Sequence, residues 1–365
     1  MAELELARNR RRHGAWAPAT VALLVTGLLL LSGCGVGPPM INRDRLDYVS
    51  AISDSWKRQM LLNLVKTRYA DAPVFLEITS VINQYSVEGQ MNALGSLTNP
   101  AWSYRQDYGA TVRAYDRPTI TYTPLTGERF GRSMLTPVPP TAILSFIQSG
   151  WPSDYVLRLM CNSINGVRNV RSGQLSGQSG DPEFEELMAA FRRVQVSETI
   201  GMRLAPEKGG GAATIVLGRK LNAAGNKDAE TVTRLLGLSP DANEFRVVFG
   251  VLPKDNTEIA ILSRSMLQVL VELAACIDVP EDHQSKGIAG PGSSSDSGVS
   301  RLMTIRSSRS RPWAAFVAVP YKGYWFWIEE KDFASKRMLS LLRFFFTLTE
   351  TGGASSGPII TVPTG

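Results

Sequence analysis

The chain predicts an α+β fold, with mixed, mainly antiparallel sheet and packed helices. Three observations carry this. Helical and strand-like stretches interleave without the regular spacing of βαβ units. Hairpin signals recur. An apolar content of 44 % over 365 residues is ample for a packed core. No internal repeat is visible, and two subdomains would also fit the length.

Element by element, Leu46, Val49, Ile52, Trp56, Met60 and Leu64 follow steps of three and four, an amphipathic helix closed by Pro73. Residues 74–87 are rich in β-branched side chains and read as a strand. Residues 108–122 alternate in the same way and break at Asp116-Arg117-Pro118, giving one or two more strands. Turns are expected at 123–127 and 137–140, and short helices at 140–148 and 152–164. A polar linker, 170–181, separates an N-terminal α+β region (42–169) from a C-terminal one (182–365). Asp181-Pro182-Glu183 opens the next helix with a cap and an N-terminal proline, and Arg192 and Arg193 stand near its far end.

Residues 201–204 and 213–218 suit a hairpin across Gly209-Gly210-Gly211. A helix near 228–236, a strand near 244–251 and a helix near 264–278 follow. Residues 283–300, with Gly-Pro-Gly-Ser-Ser-Ser-Asp-Ser-Gly, read as a mobile loop. Strands are expected near 301–307, 313–319 and 324–328, the last two joined at Tyr321-Lys322-Gly323. A helix at 332–346 and a strand at 359–362 finish the chain.

The N-terminus carries an address. Arg8, Arg10, Arg11 and Arg12 precede an apolar run, 21–31, of about eleven residues, too short for the roughly twenty that span a bilayer. Ser32 and Gly33 are small, as a cleavage site requires, so residues 1–33 read as a signal peptide that is removed. The tetrad Leu31-Ser32-Gly33-Cys34 resembles the lipobox of bacterial lipoproteins. The resemblance implies diacylglycerol transfer to the Cys34 thiol, cleavage before it, and acylation (a palmitate-type chain) of the new amino terminus. Gly rather than Asp at position 35 implies the outer membrane, facing the periplasm. Residues 34–41 are then a short tether reaching at most about 25 Å beyond Cys34. Asn63-Leu64-Val65-Lys66-Thr67-Arg68-Tyr69-Ala70-Asp71-Ala72-Pro73 and Leu125-Thr126-Gly127-Glu128-Arg129-Phe130 look like segments of envelope lipoproteins with no assigned activity. That resemblance transfers no catalytic residue.

Composition excludes several classes. The formal charge of +6 falls to +4 once the four arginines and two glutamates of residues 1–33 are removed, too dispersed an excess for nucleic-acid binding. The mature chain holds one histidine, His283, expected as a solvated loop residue, so histidine-based metal sites and serine triads have no basis. No phosphate loop, dinucleotide fingerprint or calcium loop occurs, and no cofactor is implied. Cys161 and Cys276 allow two readings, buried free thiols or a disulfide joining the two halves.

Two clusters remain. In Tyr321-Lys322-Gly323-Tyr324-Trp325-Phe326-Trp327, strand alternation puts Trp325 and Trp327 on one face and Tyr324, Phe326 and Ile328 on the other. The plain expectation is a strand buried on both faces. Exposed indoles would instead stack on glycan rings or meet a membrane interface. Arg306, Arg309 and Arg311 form a basic cluster suited to anionic lipid or cell-wall polymer, or simply to solvated loop charge. The preferred reading is a non-enzymatic, lipid-anchored envelope protein that acts by interaction or scaffolding with other envelope proteins. A glycan or cell-wall binding module using Trp325 and Trp327 is second. A hydrolase drawing on carboxylates such as Glu77, Glu128, Glu329 or Glu330 is third.

Overall fold

The computed structural model describes residues 38–82, 85–98, 103–116, 119–170, 179–197, 200–205, 212–217, 223–289 and 301–350. The signal segment, Cys34, the Gly209–Gly211 turn and the strand expected at 359–362 lie outside these residues. The chain divides into two units between Gln59 and Met60. Helix α1 (Pro38–Arg68) starts in the first unit, and its last turns belong to the second. It begins inside the stretch expected to be tether, with proline at its first positions, where a missing N–H costs nothing.

The expected stripe on α1 is buried only from Met60 onward; Leu46 and Val49 are exposed. The helix ends ahead of Pro73. Ala70 adopts a left-handed φ of 54°, and the Asp71 N–H returns to the Lys66 carbonyl at 2.9 Å. Asn63 then clamps the outgoing chain. Its amide donates to the Val74 carbonyl at 2.7 Å and accepts from the Val74 N–H at 3.0 Å.

Two antiparallel ladders follow. Strand β1 (Leu76–Ile82) pairs with β4 (Thr119–Pro124), with a bulge between Ile78 and Ser80; β2 (Tyr85–Thr98) pairs with β3 (Ser103–Asp116). The alternation pattern located the ends of this ribbon and missed 88–107, where Gly89, Asn92 and Gly95 dilute β-propensity. A short helix, α2 (Gly127–Phe130), then runs into a wider π-type turn (Gly131–Leu135) that buries Met134.

Helices α3 (Pro140–Gln148) and α4 (Ser153–Met160) match two expected helices, with one correction. Cys161–Ile164 is strand β5, not a last helical turn. It reverses through Asn165 (φ 47°) and Gly166 (φ 85°) into β6 (Val167–Arg168). Two successive left-handed residues make the turn whose twist suits a hairpin, and Asn-Gly adopts it readily. Helix α5 (Pro182–Val196) begins at Asp181, but the Asp181 side chain does not cap it. The carboxylate instead accepts the Arg168 N–H and pairs with the Arg168 guanidinium, both at 2.8 Å.

Strands β7 (Ile200–Ala205) and β8 (Ala212–Leu217), helix α6 (Ala223–Leu235), strands β9 (Glu244–Phe249) and β10 (Glu258–Ser263), and helix α7 (Met266–Ala274) complete the centre. Six strands form one sheet in the order β6-β5-β10-β9-β8-β7, taking strands from both sides of residues 170–181. Its pairings are antiparallel except β9–β10. The fold is thus α+β with mostly antiparallel sheet. Central β10 escaped the pattern reading because Ile259-Ala260-Ile261 is an apolar run buried on both faces, with no alternation to find. Helix α7 starts with a reciprocal cap. Ser265 accepts from the Gln268 N–H, and the Gln268 side chain accepts from the Ser265 N–H.

Helix α8 (Glu281–Ser285) occupies the start of the stretch expected to be a mobile loop, and residues 290–300 of that stretch lie outside the described residues. Strands β11 (Arg306–Ser308), β12 (Ala315–Tyr321) and β13 (Tyr324–Glu329) form a second sheet in the order β11-β13-β12. Helix α9 (Phe333–Glu350) supplies Met338, Leu342 and Phe345 to the core. Its aromatic rings bridge distant segments, Phe346 to Phe75 at 4.8 Å and Phe345 to Phe146 at 4.2 Å between centroids. Cys161 and Cys276 are both free and buried, so the disulfide between them does not form in this structure. Burial pushes the Cys161 thiol up to about 12 and raises that of Cys276.

One buried side chain ties these parts together. Arg264, 1 % exposed, donates from Nε to Asn162 Oδ1 (3.0 Å), from Nη1 to the carbonyls of Arg158 (3.0 Å) and Leu159 (3.1 Å), and from Nη2 to that of Val170 (2.8 Å). It thereby satisfies the last carbonyls of α4, which have no partner within the helix. Each buried acceptor orphaned by its loss costs about 1–3 kcal/mol. Arg264→Ala is therefore expected to lower unfolding stability by about 3 kcal/mol or more. Arg264→Lys should recover less than half of that, because an ammonium cannot span the same fork. Urea midpoints for the two variants check this; a loss below about 1 kcal/mol for Arg264→Ala would contradict the assigned role.

Candidate interaction surface

The sequence-selected residues converge on the three-stranded sheet. Strand β13 meets β12 through a turn at Lys322 (φ 45°) and Gly323 (φ 81°), which sets the register Trp325↔Pro320 and Trp327↔Ala318. On its other edge, Trp327 faces Arg306 and Trp325 faces Ser308. Phe326 and Ile328 are fully buried, whereas Trp325 and Trp327 are half-buried. Burial on both faces is therefore corrected. One face of β13 belongs to the core, and the other is partly open.

Arginines decorate the open face. The Arg311 guanidinium lies 5.3 Å from the Trp325 ring centroid, within cation–π range. Arg306 Nε sits 3.2 Å from Glu329 Oε1. Trp313, between this arginine cluster and β12, is 99 % exposed. An indole left wholly in water is unusual for so large an apolar group. Sequence reading absorbed Trp313 into an expected strand, 313–319; the strand begins at Ala315. The signal that would have found it is its place directly after Arg311-Pro312, where a turn outranks a strand.

Beside this face lies a polar-aromatic cluster. The Tyr324 hydroxyl donates to Asp282 Oδ1 at 2.7 Å and accepts from Arg309 Nε at 3.0 Å. The Tyr324 bond, with His283 and Arg309 nearby, holds the Asp282 carboxyl below the usual carboxylate range. His283 is not solvated, as the sequence suggested, but 6 % exposed. Its Nδ1 shares a 2.7 Å hydrogen bond with the Tyr69 hydroxyl, and its ring packs edge-on to those of Tyr69 and Tyr324. Tyr69 lies 214 positions away in the chain, so no local pattern could reveal the partner. The ring of Tyr69 also meets Tyr321 (5.3 Å) and Phe326 (5.9 Å), and the Tyr321 hydroxyl donates to Asp71 Oδ2 at 2.9 Å.

The carboxylates considered for hydrolysis are each engaged by a cation, Glu77 by Arg129, Glu128 by Arg132, Glu329 by Arg306 and Glu330 by Lys336. Among the described residues no group of three or more His, Cys, Asp or Glu side chains could hold a metal ion. A separate cavity of about 400 Å³ lies beside the six-stranded sheet, lined by Leu144, Ile147, Leu157, Phe191 and Ile261 with Gln195 at its edge. Gln195 is occupied by the Ser153 N–H and the carbonyls of Ile147 and Trp151. The chain matches no protein-family model, no curated protein and no solved structure.

Burial raises the Tyr69 phenol to about 12; burial and the acceptor Asp71 do the same for Tyr321. Both hold their protons more tightly folded than unfolded, where a phenol ionises near 10.0. Their stabilisation is complete below pH ~10 and drains as pH climbs towards 12. Urea midpoints should therefore fall between about pH 9 and about pH 11.5, and fall less steeply in Tyr69→Phe. Equal slopes in both proteins would show that Tyr69 contributes nothing to the alkaline loss.

Proposed function

We propose that this chain is a lipid-anchored bacterial envelope protein, held by acylated Cys34 and acting as an interaction or scaffolding subunit for other envelope proteins. The observation that carries the interaction is Trp313, 99 % exposed and two positions after Arg311, which stacks on Trp325. Trp and Arg are the side chains that dominate protein–protein binding energy once a partner desolvates them. Ion pairing of Glu77, Glu128, Glu329 and Glu330 and the burial of His283 support a non-enzymatic role. The lipobox tetrad supports the anchor, and Gly rather than Asp at position 35 supports the outer membrane, facing the periplasm.

A second reading keeps some support from Trp325 and Trp327 sharing one half-open face, the arrangement a glycan or cell-wall polymer would stack on. Arg311 already covers the Trp325 ring, which favours a protein or anionic partner over a neutral sugar.

Cys34→Ala is expected to abolish incorporation of labelled palmitate into the protein. Trp313→Ala combined with Arg311→Glu should leave it anchored and folded, yet reduce crosslinked capture of its membrane partner at least tenfold. Unchanged capture by that double variant, with a wild-type melting curve, would refute the surface. Binding of purified glycan lost in Trp327→Ala would favour the second reading.

A further inference from the structure

The ribbon of β1–β4 and β2–β3 takes no part in the surface just described. Each ladder is two-stranded, and no further described strand lies beside either outer edge. An isolated two-stranded ribbon is marginal in water. Strands β2 and β3 are nonetheless 14 residues each, and the register pairs them without a shift from Tyr85↔Asp116 to Thr98↔Ser103.

That register sorts the sequence into two unlike faces, because neighbouring residues of a strand belong to opposite faces. Val87 is opposite Ala114, Met91 opposite Ala110, and Ala93 opposite Tyr108, all on one face. Glu88 opposite Arg113, together with Arg105 and Asp107, belongs to the other. The first face carries no charge until Asp116 at its base. Gln106 and Leu94 are the single departures of note, one on each face. The β1–β4 ladder continues the theme. Its apolar side chains Leu76 (44 %), Ile120 (39 %) and Tyr122 (50 %) are exposed, while the Thr79 hydroxyl donates to the Thr121 carbonyl and lies within hydrogen-bond distance of the Thr123 hydroxyl.

The dimensions match a bilayer. Fourteen residues at about 3.4 Å each, tilted by about 40°, rise roughly 35 Å, more than the apolar band of about 25 Å around membrane β-barrels. Tyr85 stands at the base of the first face and Tyr104 near its tip, the positions an aromatic girdle occupies. Lipid tolerates no open strand edge, so a single ribbon cannot enter alone. Copies of the same ribbon can, if the β2 edge of one pairs with the β3 edge of the next and the ring closes. That contact also brings the acid of β2, Glu88, beside a strand carrying Arg105 and Arg113.

We propose that several copies of this chain join their ribbons edge to edge into a transmembrane β-barrel, with the Met91/Ala110 face towards lipid and the Glu88/Arg113 face lining a water-filled lumen. Each copy supplies two antiparallel strands, so the smallest barrels, of about eight strands, take about four copies. The barrel goes beyond the scaffolding role and does not require Cys34 to be acylated.

The test is made on the full chain, purified in detergent and reconstituted into phosphatidylcholine–phosphatidylglycerol vesicles. Single cysteines are introduced as Gln90→Cys, Met91→Cys, Asn92→Cys and Ala93→Cys, leaving buried Cys161 and Cys276 in place. Attached fluorophores at 91 and 93 should be quenched by nitroxide lipids several-fold more than those at 90 and 92. The cysteines at 90 and 92 should react with a water-soluble maleimide. Crosslinking should reach at least the tetramer, and planar bilayers should show discrete conductance. Ala93→Arg should abolish that conductance, whereas Gln90→Arg should keep it and shift selectivity towards anions. Labelling without period two, a membrane-bound monomer, or an oligomer that forms in buffer and never conducts would each overturn the barrel. Labelling of the parent chain reports a free Cys34, so failure of the anchor is read separately.

Discussion

The buried guanidinium of Arg264 is the constraint on which the middle of the molecule depends. A helix that ends inside a protein leaves carbonyls that must find donors, and α4 ends where the chain passes directly into β5. Arg264 supplies those donors from the end of β10, and its own N–H bonds the Met160 carbonyl at 2.6 Å. Asn169 completes the junction, giving its amide hydrogens to the carbonyls of Arg158 and Cys161 at 2.8 Å each. The helix-to-strand switch, the β5–β10 pairing and the path to Val170 are therefore one coupled arrangement. Its members lie about a hundred positions apart in the chain.

Around this junction the molecule separates rigidity from reach. The six-stranded sheet with α3, α4, α5 and α7 buries Leu144, Leu157, Phe184, Phe245, Ile261 and Leu270, and α9 closes the aromatic contacts to Phe75 and Phe146. The ribbon that leaves at Leu76 and returns at Pro124 is built on the opposite principle. It has two strands, no further described strand at either edge, and exposed apolar side chains at its base. A chain that invested only in its own stability would shorten or cover such edges. Persistence of a long amphipathic ribbon is the physical reason to look for its partner in further copies and in lipid.

The aromatic cluster around Tyr69 joins the helix end after α1 to α8 and to the Tyr321–Tyr324 hairpin. Its hydrogen bonds link Tyr69 to His283, Tyr321 to Asp71 and Tyr324 to Asp282, which suits a joint more than a reaction centre. The open face of β13, with Trp325 and Trp327, is the one opposite Phe326, which packs on Tyr69. The proposed interaction surface therefore rests on a framework held by Phe326, Tyr69 and His283, and an exposed indole can be presented at a defined place without a pocket to hold it.

Local chemistry made the class of fold, the longer helices and the hairpins β7–β8 and β12–β13 legible. The three-and-four stripe of α1, the alternation of β3 and β4, and the face assignment of Trp325 and Trp327 all follow from residue order, because period and propensity act over a few residues. The lipobox, equally local, is an expectation of the same kind. Tertiary structure decided what local order leaves open. It ended α4 at Met160 because Arg264 arrives there, and it made a central strand of the unalternating Ile259-Ala260-Ile261 by burying both faces. It drew His283 out of an expected loop through Tyr69, and left Trp313 in water while closing one face of its neighbouring strand. In each case the deciding partner is far away in the chain or is the solvent itself. Only the folded arrangement sets which polar groups must be satisfied, and where.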